Sequence, residues 1–127
     1  MVSEPLDGRA LARRFADAVA TADPGVVDDG ELSVVDERVE PDPTVDGTVA
    51  YAVAAGSRTL ADVSVHPERL RVEFRVAPEK AATAATDAGL RVRPKATRPP
   101  RTLVFVEVAA EIEPAIATFG AVLASLE

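Results

Sequence analysis

Arginine is the one residue type in this chain dense enough over a short stretch to define a chemistry. Between positions 69 and 101 lie nine cations (Arg69, Arg71, Arg75, Lys80, Arg91, Arg93, Lys95, Arg98 and Arg101) against Glu73, Glu79 and Asp87. The segment therefore carries 9 − 3 = +6 in a chain whose total is −7. A guanidinium is a planar fork that grips carboxylates and phosphates through two parallel hydrogen bonds. The chemistry to expect is recognition of nucleic acid, of a phosphorylated ligand or of an acidic protein surface. The plainer expectation is a solvated face whose arginines pair with Glu73 and with the acidic first half. Residues 1–64 hold five Arg and thirteen Asp or Glu, net −8, and residues 65–127 hold nine cations and eight acids, net +1.

Catalytic chemistry has less to work with. His66 is the single histidine, next to Pro67, and only Glu68 is near enough in sequence to orient it as a general base. Ser57, Ser64 and Ser125 stand in no G-x-S-x-G elbow, and no phosphate loop or dinucleotide fingerprint is present. With no cysteine, thiol nucleophiles, disulfides and zinc–thiolate sites are excluded. Asp28, Asp29, Glu31, Asp42 and Asp46 are the candidate oxygen ligands for a cation, but they lack the glycine and the distal glutamate of a calcium loop. No metal and no cofactor is expected.

The elements that must position the arginines follow from hydrophobic period. In the run from Leu70 to Val76, Leu70, Val72, Phe74 and Val76 point one way, and Arg71, Glu73 and Arg75, with Arg69 before them, point the other. This is the period-2 pattern of a strand with one dry face. His66-Pro67-Glu68-Arg69 is a turn with φ preset by proline, so Arg58–Val76 reads as a hairpin. Before it, Leu32–Val39 is an expected edge strand. Thr48–Ala55 is a stronger one, with Val49, Tyr51 and Val53 on one face and Ala50, Ala52 and Ala54 on the other. In Thr59–Val65, Ala61, Val63 and Val65 oppose Leu60, Asp62 and Ser64. Leu90–Arg93 and Thr102–Val108 are further strands, separated by a basic, proline-stiffened loop over Pro94–Arg101. The second of them is apolar on nearly both faces, which points to a central place.

Helices are expected over Asp7–Ala22, with Leu11, Phe15, Ala18, Val19 and Ala22 as the stripe, Pro5 in the first turn and Ser3 as cap. A second runs over Pro78–Ala88 before Gly89. A third opens at Pro114 and ends near Leu126, with Ile112, Ile116, Phe119, Leu123 and Leu126 on its inner face. The order α-β-β-β-β-α-β-β-α predicts one α+β domain over residues 1–127, a mostly antiparallel sheet of about six strands with the helices mainly on one face. Arg69, Arg71, Arg75, Arg91 and Arg93 then project from the other face, extended by Arg98 and Arg101. Leu103 and Phe105 fall on that same face beside Glu107, an apolar strip of the kind found at interfaces.

From Leu60 to Leu126 the succession of strand, turn, ERLRVEF, short helix, GLRVRPK, TLVFVEV and C-terminal helix resembles small YjbR-like double-wing α+β domains. That resemblance covers about half the chain and implies nucleic-acid binding. The composition has a second likeness. Two lysines stand against twelve arginines, aromatics are 4%, and pI is near 4.7, a combination similar to proteins of salt-loving archaea. An ordinary acidic protein from a high-GC bacterium has the same bias. The start MVSEPLDGR has no basic stretch followed by an apolar one, and no apolar run approaches the roughly 20 residues of a membrane span. A cytoplasmic setting without membrane contact is expected.

The expected function is non-enzymatic binding, first to a protein partner or in a homodimer through the outer sheet face. Nucleic-acid or anionic-ligand binding comes second, and a small enzyme third. If the carboxylate excess is a halophilic adaptation, lowering KCl below roughly 0.5 M should expand or unfold the chain as screening is lost. Circular dichroism and hydrodynamic radius across a salt series check this, and indifference to salt removes the halophilic reading.

Overall fold

Strands in an unbroken run, with helices before, between and after, assemble as the patterns require. The computed structural model describes residues 7–21, 32–38 and 42–126. Its elements are α1 (Gly8–Ala20), β1 (Leu32–Val35), β2 (Thr48–Ala55), β3 (Arg58–Val65), β4 (Leu70–Phe74), α2 (Pro78–Asp87), β5 (Arg91–Lys95), β6 (Arg101–Val106) and α3 (Ile112–Ser125), the last entered by a short 3-10 turn over Ala109–Glu111. This is an α+β fold. One sheet runs β1-β2-β3-β4-β6-β5, with every neighbouring pair antiparallel. No helix among the described residues is long and apolar enough to cross a membrane.

Period 2 sorts the side chains. Leu70, Val72 and Phe74 of β4 stand opposite Val65, Val63 and Ala61 of β3 and opposite Val106, Val104 and Thr102 of β6. All of these are buried. The helices cover this face: α1 over β1, β3 and β4, α2 over β5 and β6, and α3 against α1, α2 and β6. Three phenylalanines join the layers. Phe119 of α3 stacks at 4.7 Å on Phe74 of β4 and at 6.3 Å on Phe15 of α1, tilted arrangements that aromatic quadrupoles favour. Tyr51 of β2 adds a polar fastening, its phenol donating to the Ala12 carbonyl at 2.7 Å. Burial first, then the charges of Glu37 and Asp17, push that phenol well above its ordinary pKa.

Element ends shift by local chemistry. The cap of α1 is Asp7, whose carboxylate accepts from the Ala10 N–H at 2.8 Å. The helix therefore begins later than a Ser3 cap would allow, and Ser3 and Pro5 lie outside the described residues, as do Asp23-Pro24-Gly25 and Asp28, Asp29 and Glu31. Strand β1 stops at Val35, short of Val39, because Asp36 takes a left-handed φ of 54°. It is an edge strand, as its charges require. Strand β5 extends to Lys95 and β6 begins at Arg101, so the loop between them is shorter than Pro94–Arg101. Helix α3 begins two residues before Pro114, after the Glu111 carboxylate accepts from the Glu107 and Val108 N–H groups.

The assignment of faces on β2 and β3 needs correction. Strict alternation puts Val49 with Tyr51 and Val53, and Ala50 with Ala52. Register shifts between Val49 and Tyr51, and between Val53 and Ala54, break it. Each extra residue is a β-bulge. As a result Val49 turns outward opposite Ser64, while Ala50 and Leu60 enter the core.

Helix α1 is fastened to the β3–β4 turn through its first residue. The Gly8 N–H donates to the Pro67 carbonyl at 3.0 Å. A Cβ added at Gly8 would overlap the His66 carbonyl oxygen. Gly8→Ala should therefore lower unfolding free energy by about 1–3 kcal/mol through overpacking. Urea denaturation reads it, and an unchanged midpoint would show that this contact does not hold the helix.

Candidate binding face

The sheet face away from the helices carries the charge. Outward side chains are Asp62 and Ser64 on β3, Arg71 and Glu73 on β4 with Arg69 and Arg75 at its ends, Arg101, Leu103 and Phe105 on β6 with Glu107 beyond, and Arg91, Arg93 and Lys95 on β5. Seven cations face three carboxylates there, a net of 7 − 3 = +4. With the whole chain at −7, the remainder carries −7 − 4 = −11. Of the seven arginines expected here, six share the face. Arg98 sits apart, exposed in the loop between β5 and β6.

Each carboxylate is shared by two cations. Asp62 receives Arg75 through two parallel bonds of 2.9 and 2.8 Å, with Arg101 at 3.9 Å. Glu73 is bonded by Arg101 and, at 3.2 Å, by Lys95. Glu107 lies 3.6 Å from Arg91 and 3.9 Å from Arg69. The outer pairs are open to water and contribute little to stability, about 0–1 kcal/mol each. Their consequence is positional, because they hold the guanidiniums in an ordered row. Arg93 forms no ion pair among the described residues.

Phe105 is on this face but is not bare. The Arg69 guanidinium lies 4.4 Å above its ring, a cation–π contact, and leaves Phe105 only 6% exposed. Leu103 is half-buried between the β4 and β5 side chains. Arginine and lysine stems cover apolar surface while their heads stay wet, so the apolar strip is roofed by charge. Asp62 and Lys95 were not marked by sequence as site residues. Asp62 had a signal, since it alternates between Ala61 and Val63. Lys95 belongs to the basic segment, but the expected loop over Pro94–Arg101 gives it no face, and it is the extension of β5 that puts it beside Glu73.

His66 is built into the turn. Its N–H donates to the Arg69 carbonyl at 2.9 Å and its ring Nδ1 bonds the Val45 carbonyl at 3.0 Å. Ring Nε2 is buried. A depression of about 690 Å³ beside this turn brings Asp7, Glu68, Arg69 and Glu107 to one opening. Neither imidazole nitrogen is free to act in it as base or nucleophile. Among the described residues no three of His, Asp or Glu form a metal-ligating group. Asp42 is ion-paired with Arg9 at 2.8 Å, and the Asp46 carbonyl accepts from Arg71 at 3.3 Å.

A family model matches the whole chain, residues 1–127, and its description is a family of unknown function (DUF7993). The chain belongs to this family. No curated protein and no solved structure gives a match. In this family member, then, the site's own geometry carries the functional argument.

Glu73 supplies a test of how tightly the face is ordered. Burial raises its carboxyl pKa, but the hydrogen bonds and charges of Arg101 and Lys95 outweigh burial and hold it below 4.5. A depressed carboxyl contributes stability that is present above the unfolded pKa and lost as pH falls through the folded one. Glu73→Gln should cost about 1–2 kcal/mol at neutral pH, moderated because Lys95 and Arg101 are partly wet. It should also flatten the loss of stability expected of the wild type as pH falls through the depressed Glu73 pKa. Chemical denaturation at several pH values measures both, and parallel curves for the two proteins would contradict the assignment.

Proposed function

We propose that this protein is a non-enzymatic interaction domain whose outer sheet face docks an acidic surface of a protein partner. One observation carries the reading: seven cations share the face with three carboxylates, which pair with five of them, and a surplus of +4 remains. Preorganised arginines pay less conformational entropy when they meet a partner. Complementary charge then selects the partner and speeds encounter.

The same surplus bears on the other occupants. Two copies meeting through this face would oppose +4 to +4, and like-charge contact is costly. Phe105 is roofed by Arg69 and offers no platform for a base, whereas single-stranded nucleic acid is held by such stacking. A halophilic setting would tighten the requirement. In molar salt the screening length is about 3 Å, so recognition would rest on direct arginine–carboxylate contact.

The test uses defined probes. Poly-L-glutamate should bind the full chain at roughly 0.1 M KCl and more weakly at molar KCl. The double variant Arg91→Glu/Arg93→Glu should weaken binding about tenfold, equivalent to about 1.4 kcal/mol. Duplex DNA is the second arm, chosen for the likeness of Leu60–Leu126 to YjbR-like domains. Tighter binding to DNA than to polyglutamate, or no binding to either, sinks the protein-partner reading.

A further inference from the structure

One corner of the basic face is covered. The chain at residues 42–47 passes over the β3–β4 turn and over Arg71. The Gly47 N–H donates to the Thr44 carbonyl at 3.1 Å and closes the turn. His66 Nδ1 reaches the Val45 carbonyl at 3.0 Å, and Arg71 Nη1 donates to the Asp46 carbonyl at 3.3 Å. Because a carbonyl only accepts, the His66 proton sits on Nδ1, and Nε2 is left as a bare acceptor.

Two polar atoms beneath this cover are buried without a hydrogen-bond partner among the described residues, His66 Nε2 and Arg71 Nε. Gly47 seals them. Its φ is +91°, and an added Cβ would stand 2.9 Å from His66 Nε2 and 3.2 Å from an Arg71 terminal nitrogen. Buried polar atoms left unpaired are uncommon in native proteins and call for an explanation. Here both belong to groups that carry or can acquire positive charge, and both lie under the same glycine.

We propose that residues 42–47 are a pH-gated latch that covers Arg71 and opens when His66 gains a proton on Nε2. The Val45 carbonyl accepts equally well from a protonated ring, so the conflict arises at the other nitrogen. An N–H there would be buried with no acceptor and would place a second cation beside the Arg71 guanidinium. Lifting Gly47 lets water reach it.

The groups around the ring agree. Burial disfavours the imidazolium most. The Val45 hydrogen bond favours it, Arg71 and Arg69 disfavour it, and Asp46 of the latch favours it, with a pKa below 6.5 as the result. Glu68 in the turn and Asp7 at the α1 cap face the neighbouring depression. A lowered histidine pKa means that the closed state is fully favoured above pH 6.5 and loses ground as pH falls below it. For its purpose the latch rests on the interaction-face reading. Opening releases Arg71, and so strengthens docking of an acidic surface as pH falls.

Amide exchange by NMR on the full chain, at roughly pH 7.5 and 5.5 and corrected for intrinsic rates, tests the latch. The Val72 amide, in the middle of β4, reports global unfolding. Gly47 should lose protection relative to Val72 at the lower pH. His66→Asn keeps an N–H for the Val45 carbonyl but cannot titrate, and should show no such loss. Gly47→Ala, unable to seal the ring, should leave position 47 unprotected at both pH values. A wild type equally protected at both, the same loss in His66→Asn, or a fully protected Gly47→Ala overturns the latch. Polyglutamate binding separates the two proposals. If exchange shows opening and affinity does not rise at the lower pH, the latch stands but does not control docking; if polyglutamate binds at neither pH, the interaction face fails and the latch stands on exchange alone.

Discussion

The two-residue period of β4 is the constraint on which the rest depends. Once β3 and β6 pair with it on either side, Leu70, Val72 and Phe74 must enter one layer and Arg71 and Glu73 the other. On the dry side Phe74 meets Phe119, which meets Phe15, so strand, third helix and first helix share one aromatic contact. On the wet side Glu73 becomes the carboxylate that gathers Lys95 and Arg101 from two neighbouring strands. A slip of one residue would exchange the two sets and bury the charges. Core and binding face are therefore a single decision of register.

The face differs from a plain solvated strand surface in how its charges are spent. Here each carboxylate is divided between two cations, so the arginines are positioned without being neutralised. Covering Phe105 with Arg69 serves the same end. It hides an aromatic ring that would otherwise invite unspecific contact, and it fixes one more guanidinium on the surface. The sheet edges are guarded as well. Strand β1 is short and stops at Asp36, and β5 carries Pro94, which has no N–H to offer an incoming strand. Both edges are thus poorly suited to strand addition.

Helix α1, the β3–β4 turn and residues 42–47 meet at the other end of the sheet. Gly8 lets the helix lie against the turn, and Gly47 lets the chain close over His66. Neither position tolerates a side chain, for steric reasons that involve residues distant in sequence. His66 is thus a structural hub whose titration reaches a surface arginine, a role available to it because its ring nitrogens are engaged or enclosed and not open to a substrate.

Period, capping and turn chemistry are local, so they are enough to give the element order, an edge strand opening at Leu32, the hairpin at His66–Arg69, the inner stripe of the last helix and the outward direction of Arg71, Arg75, Arg91 and Arg93. Tertiary structure decided what depends on contacts between distant residues. The two apolar faces of β6 already pointed to an inner place; tertiary structure chose β4 as its partner on one side and left β5 at the edge on the other. Two bulges moved Ala50 and Leu60 inward and Val49 outward, because an extra residue in one strand leaves no mark in its own alternation. Asp62 and Lys95 joined the arginines only when four strands came side by side, and Phe105 lost its exposure only when Arg69 folded over it. Alternation tells a side chain which way to point. What it meets there is settled by the strand that arrives next to it.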